Sequence, residues 1–434
     1  MIFSNVVAVV ADDLTGANDT ALQFHLGGAK TKILLNTQYV PDKKQETEVW
    51  AISTESRNVP AAIAVENVKN VLASLEDNFS FEYYYKKIDS TVRGNIALET
   101  LTMVQYLGYD AAIVMPAFPQ EGRITVGGYH LLKGVPIGRT EMAIDPHSPI
   151  LESHVPSLLR SQLDDENKEL VGSIDLKTVM NGAGPILIRI NELLKEGKKL
   201  IVADAVSITD IEQLALAIKK CEKKLLPAGT AAAAQVLGKS WLAGIENEHE
   251  VLKLVKLPKF IVSGTATNIT AEQIAKLEKS DDYDDINFIS LETSDILNGV
   301  NDDIVNRIVT NLRSGVVVVV HTSHLIANFD GFSDDSFNAE LTKEKLASMI
   351  TDYLAELTKR VIAQINVVLI TLGGETSYKC CKAINTNQLQ LLDEVVPAIS
   401  LCSDENGRWI VTKSGNLGNT RTLIDILDYF RHHE

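Results

Sequence analysis

Acidic, hydroxyl and basic side chains collect directly after four apolar segments in the first third of this 434-residue chain. Val6–Ala11 runs into Asp12, Asp13, Thr15 and Asn18, and Glu48–Ile52 runs into Ser53, Thr54, Glu55, Ser56 and Arg57. Phe81–Tyr85 leads to Lys86, Lys87, Ile88, Asp89, Ser90, Thr91, Arg93 and Asn95, while Ala111–Met115 leads through Pro116 to Gly122 and Arg123. A guanidinium grips an anionic group by two parallel hydrogen bonds, an ammonium acts as a point charge, and an aspartate accepts from hydroxyls or takes their protons. The set fits a small polyhydroxy acid as ligand.

Such residues meet only if the strands before them share one sheet edge. Apolar runs of strand length alternate with amphipathic helical stretches at Asn18–Leu26, Ala61–Leu75 and Ile96–Tyr106, a rhythm that predicts an α/β fold with a largely parallel sheet flanked by helices. In such sheets ligands bind at the carboxyl ends of the strands. Glycine and proline recur across Pro116–Pro149 and interrupt the rhythm; a loop this long is usually functional or disordered, and we read it as a flap-like excursion over the site. The rhythm returns at Leu200–Ala203, Ile208–Lys219, Lys224–Pro227 and Gly229–Leu237. Gly244–Lys256 reads as a linker. A second series of strands is expected at Lys259–Ser263, Asn287–Leu291, Gly315–Val320, Asn366–Thr371, Pro397–Leu401 and Arg408–Val411. Two domains are expected, residues 1–245 and 246–434, each with its own sheet.

Composition narrows the partners. A net charge of −16 argues against a nucleic-acid surface, which needs a basic face. Apolar runs such as Gly315–Val320 fall far short of the roughly 20 residues of a membrane-spanning helix, and the amino terminus lacks the basic region and cleavage site of a signal peptide. A cytoplasmic protein is expected. Cys221, Cys380, Cys381 and Cys402 have neither zinc-site spacing nor the density of a disulfide scaffold, so buried, reduced thiols are expected. His321-x-x-His324 has metal-like spacing but no evident third ligand. No metal site is expected.

Strands of the second domain also end in small polar residues: Ser263-Gly264-Thr265-Ala266-Thr267, His321-Thr322-Ser323, Gly373-Gly374-Glu375-Thr376-Ser377 and Lys413-Ser414-Gly415-Asn416-Leu417-Gly418. Glycines admit a phosphate close to the backbone, and N–H groups at a succeeding helix start bind anions. A nucleotide site is therefore expected. It is not a P-loop, because no G-x-x-x-x-G-K-[ST] occurs, and no G-x-G-x-x-G succeeds a strand as a dinucleotide fold requires.

Each residue also has a plainer reading. Asp12 and Asp13 could simply cap the next helix, but Asn18 and Asp19 lie nearer its expected start, which leaves a site role for at least one of the pair. Strand alternation lets only one of Lys86 and Lys87 face the crevice, with Lys87 and Asp89 sharing a face if the strand continues. Arg57 and Arg123 could be ordinary surface arginines. Lys413 reads equally as a surface lysine on a turn or as a charge beside a phosphate.

Taken in order, Ala11–Thr20, Ser53–Arg57, Lys86–Asn95, Pro116 with Gly122-Arg123, Asp145-Pro146 with Ser148–Ile150, Gly373–Ser377 and Lys413–Gly418 resemble the four-carbon acid sugar kinases over nearly the whole chain. The resemblance implies an ATP-dependent kinase acting with Mg2+ on the terminal hydroxyl of a four-carbon sugar acid. The acid would lie in the amino-terminal domain and ATP in the carboxy-terminal one. It implies contacts to the acid from Asp12, Arg57 and Lys86, Lys87, Ile88 and Asp89, and to ATP from Ser263, Gly373, Gly374, Glu375, Thr376 and Gly415. Arg123 joins the acid site as a candidate, and Asp12 or Asp13 is the candidate base.

Lys86–Thr91 with Arg93-Gly94-Asn95 and Asn18-Asp19-Thr20 resembles the D-threonate kinase branch, whereas Gly374–Ser377 and Gly415–Gly418 are closer to the 3-oxotetronate branch. The first set would face the acid, so D-threonate is the expected substrate, with D-erythronate and 3-oxotetronate as alternatives. A non-catalytic sugar-acid binding protein would need no glycine loops in its second domain. A dehydrogenase or aldolase lacks its fingerprint or catalytic triad here. A homodimer stays open as the assembly.

Overall fold

A computed structural model describes residues 3–36, 39, 47–145, 148–245, 254–265, 267–281, 283, 285–323, 325 and 342–434. Pro146, Ala266, His324 and residues 246–253 of the expected linker lie outside the described residues. The chain forms two compact units, Met1–Glu248 and His249–Glu434.

The first unit contains β1 (Phe3–Ala11), β2 (Thr31–Leu34), β3 (Val49–Ser53), β4 (Phe79–Lys87), β5 (Ala111–Met115), β6 (Arg123–Val126), β7 (Tyr129–Leu132), β8 (Val135–Pro136), β9 (Val171–Ile174), β10 (Leu200–Ala203) and β11 (Leu225–Gly229). Eight of them lie side by side in the order β2-β3-β1-β4-β11-β5-β10-β9, with every neighbouring pair parallel. Val7–Ala11 is wholly buried, as expected of a strand covered on both faces. β1 pairs on one side with β3 and on the other with β4. In an open α/β sheet the carboxyl ends of such neighbouring strands, here β3, β1 and β4, are where a ligand site is expected.

Helices fill the crossovers. The helix Ala61–Asn78 buries Ala64, Val68, Val71, Leu72 and Leu75, a spacing of three and four residues that lines one face. Val68, Val71, Leu72 and Leu75 join Val10, Ile52, Val92 and Ile96 in one core. Truncating Leu72 to Ala there should cost about 2–5 kcal/mol. The expected excursion is a small antiparallel sheet, β6-β7-β8, succeeded by short 3-10 turns.

The second unit contains β12 (Lys259–Ser263), β13 (Ile286–Ser290), β14 (Val317–His321), β15 (Val368–Leu372), β16 (Gln388–Val396), β17 (Ile399–Asp404) and β18 (Trp409–Lys413). Their order is β13-β14-β12-β15-β18-β17-β16. The first five are mutually parallel, and β17 and β16 continue antiparallel. Its core gathers Ile261, Ile370, Val411 and the inner face of the carboxy-terminal helix Thr422–His433. Among the described residues no helix is long and apolar enough to cross a membrane.

Candidate functional site

The register Val10↔Lys86 and Ala11↔Lys87 between β1 and β4, with Ala11↔Ser53 between β1 and β3, brings three strand ends level. Asp12 and Asp13 come directly after β1, Arg57 after β3, and Asp89 after β4. Arg57 lies between the acids: Nε and Nη2 donate to the two oxygens of Asp12 at 2.8 and 3.0 Å, Nη1 donates to Asp13 Oδ2 at 2.5 Å, and Nη2 lies 3.5 Å from Asp89 Oδ1. Asp89 in turn accepts from Arg93 Nε at 2.9 Å and Nη2 at 3.1 Å, while Arg93 Nη1 donates to Asp145 at 2.9 Å. Burial pushes Asp12 up, but Arg57, then Lys86 and Lys87, hold it below the ordinary carboxylate value. Asp89 lies well below that value, where Arg93 and Arg57 outweigh its burial.

Asp13 corrects the expected helix start. The helix begins at Leu14, not Asn18, and Asp13 is its N-cap: Oδ1 accepts from the Gly16 N–H at 2.8 Å and Oδ2 from Thr15 Oγ1 at 2.8 Å. The cap role and the ion-pair role coexist in one carboxylate. Asp12 keeps the greater free acceptor capacity, since both its bonds come from a single guanidinium.

The two lysines part company as alternation requires. Lys86 Nζ pairs with Glu99 Oε2 at 2.8 Å on the helix Ile96–Tyr106, both side chains being sealed from solvent. Lys87 Nζ donates to the Ile88 carbonyl at 2.9 Å and lies 3.0 Å from where a Gly16 Cβ would stand, so a side chain at Gly16 would crowd it. Among the described residues no carboxylate pairs with Lys87. Ile88 contributes its side chain to the core, and its backbone is engaged as well, the N–H donating to the Gly229 carbonyl at 2.9 Å and the carbonyl accepting from Lys87.

Arg123 is not a surface or loop residue. It is buried in β6, with Nη1 3.5 Å from Glu121 Oε2, while Nε has no hydrogen-bond partner among the described residues. The hairpin carrying it is anchored by Asp204, which accepts from the N–H groups of Gly127, Gly128 and Leu176 at 2.7–2.9 Å. His130 ties the same hairpin to the loop after β4. Burial lowers it to about 4, so the ring is neutral at pH 7. Its Nε2 faces the Ser90 carbonyl at 2.9 Å and must donate, which leaves Nδ1 to accept from Thr125 Oγ1 at 3.1 Å.

Two half-buried acids beside this cluster are not marked as site residues by the sequence. Burial raises Asp19 to about 6 despite Lys87, and its Oδ1 has no hydrogen-bond partner among the described residues. Burial raises Glu55 to about 8, although its Oε1 accepts from Ser53 Oγ at 2.5 Å. Glu55 also adopts a positive φ of 47°, a strained choice for a non-glycine residue and typical of functional loops. No sequence pattern reports such desolvation. The motif Asn18-Asp19-Thr20 is the one available hint for Asp19.

In the second unit the adjacent ends of β12, β15 and β18 bring three glycine loops together. A Cβ on Gly264 would stand 2.6 Å from Thr376 Oγ1, and one on Gly415 would stand 2.5 Å from Thr265 Oγ1, so only glycine fits where the loops touch. Gly373, at φ 108°, turns the chain into the helix Gly374–Ala383, and its N–H donates to the Lys413 carbonyl at 2.8 Å. The Gly415 carbonyl accepts from Thr267 Oγ1 at 2.6 Å and Thr270 Oγ1 at 2.8 Å. Ser263 Oγ is fully buried without a hydrogen-bond partner among the described residues. Glu375 accepts from Thr351 Oγ1 and pairs with Lys379, each at 3.2 Å. His321 hydrogen-bonds Ser323 at 3.1 Å, and His324 is outside the described residues.

The acid and guanidinium cluster at the strand ends of the first unit and the glycine-lined helix start in the second fit a transferase with two substrates. Residues 7–237 match the family model of a sugar-binding N-terminal domain, and residues 260–423 match that of a nucleotide-binding C-terminal domain. The chain belongs to the four-carbon acid sugar kinase family and is a phosphotransferase that uses ATP. It is similar to D-erythronate kinase of Heliobacterium modesticaldum, 28% identical over 98% of this chain and 97% of the relative. D-threonate kinase of Salmonella typhimurium is 27% identical over 97% of both chains. A 3-oxo-tetronate kinase of Actinobacillus succinogenes is 24% identical over 95% of this chain and 97% of its own. The crystal structure of Haemophilus influenzae protein HI1011 shares the fold with a TM-score of 0.70 at 23% identity, covering 98% of this chain and 99% of the other.

Proposed function

We propose that this kinase transfers the γ-phosphate of ATP to the 4-hydroxyl of D-threonate, with the acid held by the amino-terminal unit and ATP by the carboxy-terminal unit. The observation that carries the reading is the convergence of Asp12, Arg57 and Asp89 at three adjacent strand ends. Arg57 has one Nη1 hydrogen beyond its bonds to the three aspartates. That donor, Lys87 and Arg123 offer positive charge to a ligand carboxylate and Asp12 offers acceptors to hydroxyls, while Asp89, whose oxygens already accept from Thr91 and Arg93, holds the loop after β4 against Arg57.

In the transfer the O4–phosphorus bond forms, the bond from phosphorus to the ADP oxygen breaks, and the hydroxyl proton leaves to a carboxylate. Asp12 takes that role. Its low basicity suits a loose transition state, in which the acceptor is oriented first and deprotonated late. Asp13 holds Arg57 and the helix start in place.

ATP would rest its phosphates on the Gly373–Thr376 helix start and the Gly415 loop, where backbone N–H groups and the helix dipole favour anions. Among the described residues no group of three or more His, Cys, Asp or Glu side chains converges on a metal position. Mg2+ needs few protein ligands when phosphates supply the rest, so it is proposed as a partner of the nucleotide.

The Lys86–Thr91 motif supports D-threonate. The relative named D-erythronate kinase, with nearly equal identity, supports the epimer as second reading. ADP release measured with D-threonate, D-erythronate, L-threonate and 3-oxotetronates decides between them. The highest kcat/KM is expected for D-threonate, and a higher value for D-erythronate transfers the assignment to it.

A further inference from the structure

Lys413 ends β18 immediately before the Ser414–Gly418 loop, and its side chain is fully buried. Its ammonium carries three donors. One reaches Thr270 Oγ1 at 3.1 Å and another the Ser414 carbonyl at 2.9 Å, both uncharged acceptors. Lys86 makes the contrast: equally buried, it has Glu99 at 2.8 Å. No carboxylate among the described residues pairs with Lys413.

The surrounding elements offer no substitute. On the helix Gly374–Ala383, Glu375 pairs with Lys379 and accepts from Thr351. The helix Asn268–Glu278 meets Lys413 through Thr270, and neighbouring β15 runs beside it with Leu372 opposite. Burial alone pulls the ammonium down to about 7, with no charged neighbour contributing. A buried cation without an anion is unfavourable, so its retention implies an anion that arrives from outside.

The position says which anion. Thr270, which Lys413 bonds, also donates to the Gly415 carbonyl, and the Lys413 carbonyl receives the Gly373 N–H. The residue thus braces two of the three glycine loops from beneath. We propose that Lys413 is a positioning residue of the nucleotide site whose side chain takes up a proton when the ATP phosphates bind above it, so that the anion and the ammonium charge arrive together. This rests on the assignment of ATP to the second unit. It makes ATP affinity fall as pH rises above neutrality, because the free enzyme then holds Lys413 neutral and binding must recharge it.

The test is calorimetric titration of the full-length protein with ATP and Mg2+ at about pH 8, where the nucleotide itself no longer titrates, in two buffers of different ionisation enthalpy. A group with a pKa of about 7 is then mostly deprotonated, so wild type should take up roughly 0.5–0.9 proton per ATP. Lys413→Arg keeps a permanent charge and should bind ATP without that uptake. Lys413→Met should lose both the uptake and about 10-fold or more in affinity. Normal ATP binding by wild type with no proton uptake overturns the proposal, as does undiminished uptake in either variant. If Lys413→Met fails to fold, wild type and Lys413→Arg still decide. Absence of ATP binding by folded wild type instead removes the nucleotide assignment itself.

Discussion

Asp12 presents both carboxylate oxygens to the guanidinium of Arg57, at 2.8 and 3.0 Å, across the ends of two neighbouring parallel strands. This fork fixes the plane of each group. It also explains why an arginine rather than a lysine stands there, since a point charge cannot hold two oxygens in register.

Arg57→Ala should raise KM for the sugar acid much more than KM for ATP. Removing one member of a buried charge pair costs roughly 2–5 kcal/mol, and Asp12, Asp13 and Asp89 all lose a partner. Steady-state kinetics with each substrate varied in turn checks this. Equal effects on both substrates would take Arg57 out of the acid site.

Asp12→Asn and Asp13→Asn should separate. Asparagine is a good N-cap, so Asp13→Asn keeps the helix start but gives up the charged partner of Arg57 Nη1, and should lower melting temperature more than kcat. Asp12→Asn keeps the shape but removes the proton acceptor, and kcat should fall about 10²-fold or more. Near wild-type kcat in both variants would place the base elsewhere.

Glu55 gives a pH signature. Its folded pKa, about 8, lies above the ordinary glutamate value of 4.5, so the folded state binds a proton that the unfolded chain releases. Its stabilising contribution is full below about 4.5 and is lost as pH rises through about 8. Glu55→Gln, which cannot ionise, should flatten the fall in stability over that window. Urea midpoints at several pH values test it, and parallel pH profiles for wild type and variant would contradict it.

Lys86→Met should destabilise the fold by about 3–5 kcal/mol, because Glu99 would be left buried without its cation. The double variant with Glu99→Leu should recover much of that loss. Additive losses in chemical denaturation would mean the pair is not coupled.

Much of this site is legible in the sequence because strands advertise themselves by short apolar runs, and in a parallel sheet the residues directly after each run share one edge. Ala111–Met115 and Leu200–Ala203 coincide with their strands, and Asp12, Arg57 and Asp89 meet as the strand ends require. Three strands left no such signal. Thr31–Leu34 is four residues long with Lys32 in it, Val171–Ile174 includes Gly172 and Ser173, and Gln388–Val396 is polar and interrupted by register shifts. Lys413 reads equally as a surface lysine or a charge beside a phosphate, and Arg123 as a site candidate or an ordinary surface arginine, because the burial that separates these readings depends on distant segments packing over them. The perturbed acids Asp19 and Glu55 are hidden for the same reason: desolvation is a property of the folded neighbourhood.

The central claim, one substrate per unit, is tested most directly by hydrogen exchange on the full-length protein with each ligand alone. Peptides covering Asp12–Thr20, Ser53–Arg57 and Lys86–Asn95 should slow with D-threonate, while those covering Ser263–Thr270, Gly373–Ser377 and Lys413–Gly418 should slow with ATP and Mg2+. Protection by ATP confined to the amino-terminal peptides, or by the acid confined to the carboxy-terminal ones, would contradict it.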